Sequence, residues 1–571
     1  MNEVKNGEVT TGLSRRGFLK AGGTAMGAVV LGGLAGCGDD VTKIVKSSTD
    51  SGSTTTETLW YGTEPATGTI VEEVTTDILI CGLGHGGLNA TLASAEAGAK
   101  TLAIEKASGP GSVKTYLGAV GTTAQNNAGV NINKGELLND IARYAGGKCN
   151  YDLIRMWIDE SGATVDWLAS YMAKYGYTHV AEYDVGDGTH GYFKVFPVHT
   201  KLLAGDNVTT GTADAIVAEA EALGATLRYD TSLIKFIKDA SGKVTGVYAK
   251  NDKGYIKISV SKAVILCTGG YEGDAKLYTK LNPYAAGITT IIAGRSYNTG
   301  DGIKAAIWAG GRKQETAAVQ LFDRGPVKPG DKAGYPFHSD EVMGPFWMGS
   351  QPFLKVNMKG KRFMNESAPY DWPLFAAGYQ NGGVYCPIFD ANYWDNIAGF
   401  HTIGCSRQIP STTVPATGEG QGKANFDETL AQYIGAGIIQ QADTIAELAT
   451  KLGLPSAELV NTVNRFNTLA QNKNDTDYGK PAKDLFPVNT PPFYGYTLGG
   501  SLMCTEDGII IDEHCRVIDS DNNPITGLYA AGNVSGGIFD TNYPELIVGL
   551  TCGRAMTQAR HAVRHALGII S

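Results

Sequence analysis

The chain has 571 residues, 75 of them glycine, and a formal net charge of −9. That length exceeds one simple core, so more than one folding unit is expected, with room to bury a large ligand. The acidic balance, without any basic block or stripe, argues against a nucleic-acid partner, and nine cysteines with no C-x-x-C spacing support no metal, cluster or attached-haem site.

Residues 1–37 read as an address. Ser14-Arg15-Arg16-Gly17-Phe18-Leu19-Lys20 and the small apolar run after it resemble a bacterial twin-arginine export signal. The run ends in Leu34-Ala35-Gly36-Cys37, which resembles a lipoprotein processing box and makes Cys37 the lipidated first residue of the mature chain. An exported, membrane-anchored protein facing the periplasm or cell surface is the expectation. Residues 38–72, rich in Ser and Thr and without periodicity, read as a flexible tether.

The apolar run Asp77 to Cys81 enters the turn Gly82-Leu83-Gly84-His85-Gly86-Gly87, a small-residue helix follows from Leu88 to Ala97, and a second strand, Lys100 to Ile104, ends at Glu105. This is one βαβ unit with a dinucleotide-binding fingerprint. Gly82 permits the tight turn, Gly84 lets the backbone approach a pyrophosphate, Gly87 lets the helix pack on the strand, and Glu105 is placed to accept from ribose hydroxyls. His85 lies in the turn, where the backbone matters more than the side chain. His190 is a lone loop histidine.

Gly109 to Ser112 and Gly118 to Gly121 form a second Gly-rich region. Helical patterns cover 152–174 and 213–223, a small antiparallel meander follows, and Ala263-Val264-Ile265-Leu266-Cys267-Thr268-Gly269-Gly270 reads as a buried parallel strand ending in glycines. Residues 283–489 change character. Aromatic residues and prolines cluster from Tyr335 to Trp372, and helical stretches run over 429–452 and 456–471. Gly508 to Asp519 reads as a hairpin, Gly527 to Asn533 as another buried strand and turn, and Leu546 to Ala566 as the last helix.

Taken together, the GLGHGG turn with Glu105, AVILCTGG at 263–270, NTGDGIKAA at 298–306, NMKGKRFMNES at 357–367 and GLYAAGN at 527–533 resemble the fumarate reductase and ketosteroid dehydrogenase flavoproteins. The resemblance implies FAD and an α/β fold: a doubly wound, Rossmann-like FAD-binding domain (73–282 and 490–571) with an inserted α+β capping domain (283–489). It also implies cofactor contacts from Gly82, Gly84, Gly86, Gly87, Glu105, Lys106, Ser112, Gly118, Thr268, Gly269, Gly270, Asp301, Gly532, Asn533, Leu546 and Ile547. The last helix would point its N-terminus at the flavin.

The fumarate branch places an arginine four residues beyond the RFMNE glutamate and another after an asparagine near the C-terminal helix; this chain has Tyr370 and Tyr543 there, and Tyr496 where that branch has a histidine before T-x-G-G. A buried dicarboxylate without opposing cations costs several kcal/mol per charge, so fumarate is disfavoured. ESAPY at 366–370 and NYP at 542–544 look like the ketosteroid dehydrogenase side. There Tyr370 matches the tyrosine exchanging a proton with substrate carbon, and Tyr543 the one donating to the carbonyl. The match is incomplete, because Glu545-Leu546-Ile547 stands where that branch is glycine-rich.

The expected chemistry is hydride transfer between flavin and an activated C=C, enoate or enone, with proton transfer by Tyr370 and support from Tyr543 and Tyr496. Arg295, Arg312 and Arg324 are candidates to bind one carboxylate, although residues of this kind more often lie at the surface. Reduction is placed ahead of oxidation, with electrons from a separate cytochrome or flavoprotein at the membrane in anaerobic respiration. A ketosteroid-type dehydrogenase working oxidatively, or a fumarate-reductase-like enzyme, is the alternative, and a non-enzymatic flavin- or substrate-binding lipoprotein the reading from another class.

Overall fold

A computed structural model describes residues 59–571 apart from 209, 335, 339–342 and 410–421. The export signal, Cys37 and most of the tether lie outside the described residues. The fold is α/β. Strand β1 (Ile70–Cys81) starts exposed and is fully buried from Ile78 to Cys81, passes through Gly82 into α1 (His85–Glu96), and returns in β2 (Thr101–Ile104). β3 (Thr226–Arg228), β4 (Ser232–Lys238), β5 (Val244–Asn251) and β6 (Gly254–Leu266) follow. β7 (Arg516–Ile518), β8 (Pro524–Ala530) and α2 (Leu550–Ala566) complete this part from the C-terminal end.

These strands form a sheet in the order β7-β8-β6-β1-β2-β3, with β5 on β6 and β4 on β5. The β8–β6, β6–β1, β1–β2 and β2–β3 pairs are parallel, while β4, β5 and β6 make the antiparallel meander. The start of β6 pairs with β5, and Val264 to Leu266 lie between β1 and β8. Those last residues are wholly buried, which is why they read as an unbroken apolar run.

Two sequence expectations need correction, and a third gains partners. The helical stretch at 429–452 is two helices, Lys423–Gly435 and Ile445–Leu452, separated by the short strand Gln440–Ala442. Gly437 adopts φ 72° between them, and the Thr444 hydroxyl accepts from the Glu447 N–H to cap the second. Residues 508–519 do form a hairpin, closed by the antiparallel Ile511–Val517 bridge, and its arms also pair outward, Ile509–Ile510 with Ser535–Gly536 and β7 with β8. The last helix starts at Leu550, after Gly549 in the left-handed region (φ 76°).

A second sheet joins Thr497–Thr505 antiparallel to Val319–Val327 and parallel to Thr289–Ile292. Strands from both sides of residue 489 therefore share it, and residues 60–571 form one compact unit. A separate apolar cluster gathers Leu354, Val356, Ile388, Leu448, Leu459 and Phe466.

A buried ionic network anchors the segment leading to Tyr370. Arg362 donates to both Glu366 oxygens at 2.8 Å, and to Asp475 at 3.0 and 2.7 Å. Its guanidinium also lies over the Phe466 and Tyr478 rings. Removing one partner from such a set leaves uncompensated buried charge. Arg362→Ala should therefore lose about 3–5 kcal/mol of stability, read by denaturant unfolding of the holoenzyme, and a loss below about 1 kcal/mol would show that water replaces the guanidinium.

Candidate active site

The glycine turn does what its spacing implies. Gly82 has φ 95°, and a Cβ there would lie 2.6 Å from the Cys267 carbonyl oxygen. A Cβ at Gly87 would lie 1.8 Å from the Gly82 oxygen, whereas one at Gly84 would meet nothing within 4 Å. The first and third glycines thus serve close packing, and the second leaves backbone open toward a ligand.

The turn borders a cleft of about 370 Å³. Gly82, Gly84, Gly86, Glu105, Lys106 and Ser112 line it, as do Thr268, Gly269, Asp301, Gly532 and Asn533. Gly87, Gly118, Gly270, Leu546 and Ile547 are not among its lining residues. Gly118 instead gives the start of the last helix room, since a Cβ at Gly118 would lie 2.8 Å from the Leu550 nitrogen. Leu546 and Ile547 are buried in the turn before α2, because the helix begins later than the apolar pattern implied. The helix brings Thr551, Cys552 and Ala555 to the cleft in their place.

Glu105 accepts from the Leu83 N–H at 2.7 Å and the Ala107 N–H at 2.9 Å, so it also organises the turn beside the cleft. Lys106 and Asp301 pair at 2.6 Å. Sequence reasoning missed Arg295 and Glu272. Arg295, read as a surface residue, lines the cleft and donates to Ser112 Oγ at 2.5 Å; its place just before the NTGDG motif was the available signal. Glu272 is buried there with its carboxyl pushed up to about 7 by burial, and accepts from Asn298 at 2.5 Å.

A family model for an FAD binding domain matches residues 77–545. The chain belongs to this family. It is 28% identical over 509 residues to a vinyl phenol reductase of Lactiplantibacillus plantarum, covering 87% of this chain and 97% of that protein. Over 362 residues it is 34% identical to a 3-oxosteroid 1-dehydrogenase of Mycobacterium tuberculosis, covering 57% of each. The solved open conformation of a flavocytochrome c3 fumarate reductase shares the fold with a TM-score of 0.61 at 23% identity, covering 87% of this chain and 79% of that one. The protein is an FAD-dependent oxidoreductase of the fumarate reductase and ketosteroid dehydrogenase flavoproteins.

The residues fit FAD. The glycine cradle is open only at Gly84, Thr268 Oγ1 is buried in the cleft without a partner, and Glu105 borders the cleft where ribose hydroxyls are expected.

Buried polar groups gather around the three tyrosines of this flavoprotein. Tyr370 is 3% exposed, and its Oη faces Ser406 and the Ile403 backbone without a hydrogen bond to either. Burial, with Glu545 nearby, pushes its hydroxyl well above the ordinary tyrosine range. His190, set aside as a loop residue, is buried edge-on against the Tyr370 ring at 5.0 Å, and burial drops its imidazole to about 4, so it stays neutral. Tyr496 is fully buried, edge-on to Phe346 at 5.4 Å, with no partner for its Oη. Tyr543 is different: its Oη accepts the Thr551 N–H at 3.0 Å, at the start of α2, leaving its own proton to donate.

Arg324 is also corrected, from surface to interior. It is 3% exposed, donates to Ser350 Oγ and Ser406 Oγ at 2.8 Å each, and lies between the Phe322 and Trp347 rings. Ser350 in turn donates to Asp323 at 2.7 Å, and Lys355 stands 3.6 Å from that carboxylate. Arg312 reaches Asn522 at 2.9 Å in an exposed contact.

Two measurements follow from this geometry. Gly84→Ala should fold normally yet lose FAD, whereas Gly87→Ala should lose about 1–3 kcal/mol of stability as well; flavin absorbance with apo-protein melting separates them, and equal melting of both variants would contradict the packing difference. Glu272 binds its proton more tightly folded, near 7, than unfolded, near 4.5, so its folding contribution falls as pH rises through that window. The melting temperature of apo Glu272→Gln relative to wild type should therefore rise between about pH 4.5 and pH 7, and a flat difference would show that Glu272 titrates normally.

Proposed function

We propose that this flavoprotein is an extracytoplasmic reductase of an activated C=C, an enoate or enone, with Tyr370 as proton donor. Bound FAD supplies the hydride for this chemistry. Tyr370 carries the reading. Its hydroxyl is buried and unpartnered and held in the protonated form, so it suits delivery of a proton to carbon bearing developing negative charge. Abstraction by the same residue needs a tyrosinate, which burial and the neighbouring Glu545 oppose. This favours the reductive direction over the ketosteroid-type oxidation. Reduction of, or dehydrogenation to, a C=C is common to what the vinyl phenol reductase, the 3-oxosteroid 1-dehydrogenase and an NADH:acrylate oxidoreductase are named for.

Tyr543, hydrogen-bonded at the N-terminus of α2, is suited to donate toward an oxygen where enolate charge develops, with the helix dipole adding positive potential there. Tyr496, without a partner, serves the same end or shapes the pocket. Arg324, which acts on the Tyr370 hydroxyl, is engaged with Ser350 and Ser406, and the buried Lys355 with Asp323. That arrangement suits a weakly charged substrate better than a dicarboxylate. Export by the twin-arginine route, lipid anchoring at Cys37 and electron supply by a separate membrane or periplasmic cytochrome or flavoprotein belong to the same proposal, within anaerobic respiration.

The test is turnover of viologen-reduced holoenzyme with a panel of enoates and enones. Tyr370→Phe should lower kcat by about 10²- to 10⁴-fold with the flavin spectrum unchanged. Near-normal turnover of that variant would remove Tyr370 as the donor, and steroid-dependent dye reduction without any C=C reduction would replace the reductase reading.

A further inference from the structure

We propose that residues 186–194 form a strap that swings away from Tyr370 to admit substrate and closes over it again. The proposal rests on the reading of Tyr370 as proton donor. Tyr370 is 3% exposed, and the His190 ring stands 5.0 Å from its own. A substrate carbon therefore comes within hydrogen-bond reach of the hydroxyl only after some covering element has moved. Elements that open to admit ligands are drawn from the locally least stable parts of a fold.

The strap is a loop whose ends are joined. Val185 and Val195 bracket it and meet Ile403 and Val548 in one small apolar cluster, an arrangement typical of compact, functional surface loops. Ahead of it Arg407 and Glu182 pair at 2.8 Å, both buried, and Arg407 and His401 hold Asp184. These anchors lie outside the moving part. Within it, Thr189–His190 and Phe193–Lys194 make a ladder of only two residue pairs, which is marginal without other support. Tyr192 at the tip is 71% exposed. Gly188 has φ 78°, and a Cβ there would meet nothing within 4 Å, so the strap has a hinge with room to turn.

Its inner face follows the Tyr370 segment residue by residue. His190 stands against Tyr370, and Phe193 meets Trp372 edge-on at 4.8 Å. Between them Gly191 approaches so closely that a Cβ would collide with the Ser367 carbonyl oxygen. One latch spans the contact: Lys483 Nζ donates to both Asp187 oxygens at 2.8 Å and to Thr189 Oγ1 at 2.7 Å. On the outer side Lys194 pairs with Glu136, and Arg143 lies over the Phe193 ring at 5.4 Å. Both ion pairs are solvent-exposed, so water replaces them at little cost. Arg324 and Ser406, by contrast, are tied to Ser350 in a buried network, and opening that network would strand a charge in the interior. The strap is therefore the part that yields, and its closure keeps water from the proton transfer.

The experiment uses FAD-loaded Ser367→Cys, which sets a thiol beneath Gly191 at a position that is 0% exposed, and reads N-ethylmaleimide attachment there by peptide mass spectrometry. The new thiol should be labelled at least about tenfold faster than Cys386, which is fully buried in the strand Cys386–Phe389 and reacts only on larger unfolding. Adding Lys483→Ala should speed that labelling about two- to fivefold, the weight of one exposed ion pair. It should raise kcat/KM by the same factor for whichever enoate, enone or steroid turns over. Should Ser367→Cys fail to fold, hydrogen exchange of wild type takes its place: the Val195 N–H, bonded to the Gly188 oxygen, should exchange faster than the Glu182 N–H, bonded to the His199 oxygen, and Lys483→Ala should widen the gap. Labelling no faster than at Cys386, equal protection of the two amides, no effect of Lys483→Ala, or faster labelling with unchanged kcat/KM would each overturn the strap. Labelling and exchange need no turnover. An opening strap with near-normal turnover of Tyr370→Phe would thus remove the donor reading alone, and a strap that stays shut while Tyr370→Phe is crippled would remove the strap alone.

Discussion

The rest of the molecule depends on one close backbone approach, where the end of β1 meets the end of β6. At Gly82 there is no room for a side-chain atom, because the Cys267 carbonyl oxygen occupies the neighbouring space. The parallel pairing of Ile78–Cys81 with Ala263–Leu266 brings the two strand ends together, and both empty into the same cleft. At the carboxyl ends of parallel strands a ligand meets turn backbone and helix N-termini together. From there the positions of Glu105, Thr268 and Gly532 follow from strand order. None needs an interaction of its own to reach the cleft.

Away from the cleft the controlling cost is that of burying charge. Around Arg362 it is met within the protein, two carboxylates gripping one guanidinium. Around Asp323 it is met by Ser350 and Lys355. Around Tyr370, Asp371, Tyr496 and Glu545 it is not met among the described residues. Natural interiors tolerate few such orphans, which is why the proposed substrate site is placed beside these residues.

The legible parts of the sequence were those whose signal is local. The βαβ unit shows itself because glycine spacing, an apolar run and a terminal acid all fall within one short stretch, and the 456–471 helix because a single amphipathic period runs unbroken through it. The 429–452 stretch misled because its apolar positions continue across Gly437, whose φ of 72° breaks the helix. Arg324 and His190 were illegible for another reason. A lone charged residue belongs at the surface by default, and only the tertiary fold sets His190 against Tyr370 or sandwiches Arg324 between Phe322 and Trp347.

The three tyrosines are not equivalent, and the difference lies in what each oxygen already does. Tyr543 accepts a helix N–H, which fixes its ring and polarises its O–H outward, as suits a stationary donor to an oxygen that gains charge but does not take the proton away. Tyr370 and Tyr496 accept nothing. A hydroxyl without such an anchor is free to reorient as the proton leaves, and after transfer its oxygen needs a cation or donors close by. For Tyr370 these are Ser406 and Arg324. The charges nearest Tyr496 are Asp323 and other groups that raise its hydroxyl further, and a tyrosinate there has no comparable support. In the proposed reduction, proton transfer to carbon therefore falls to Tyr370 and charge stabilisation to Tyr543, and Tyr496 shapes the pocket.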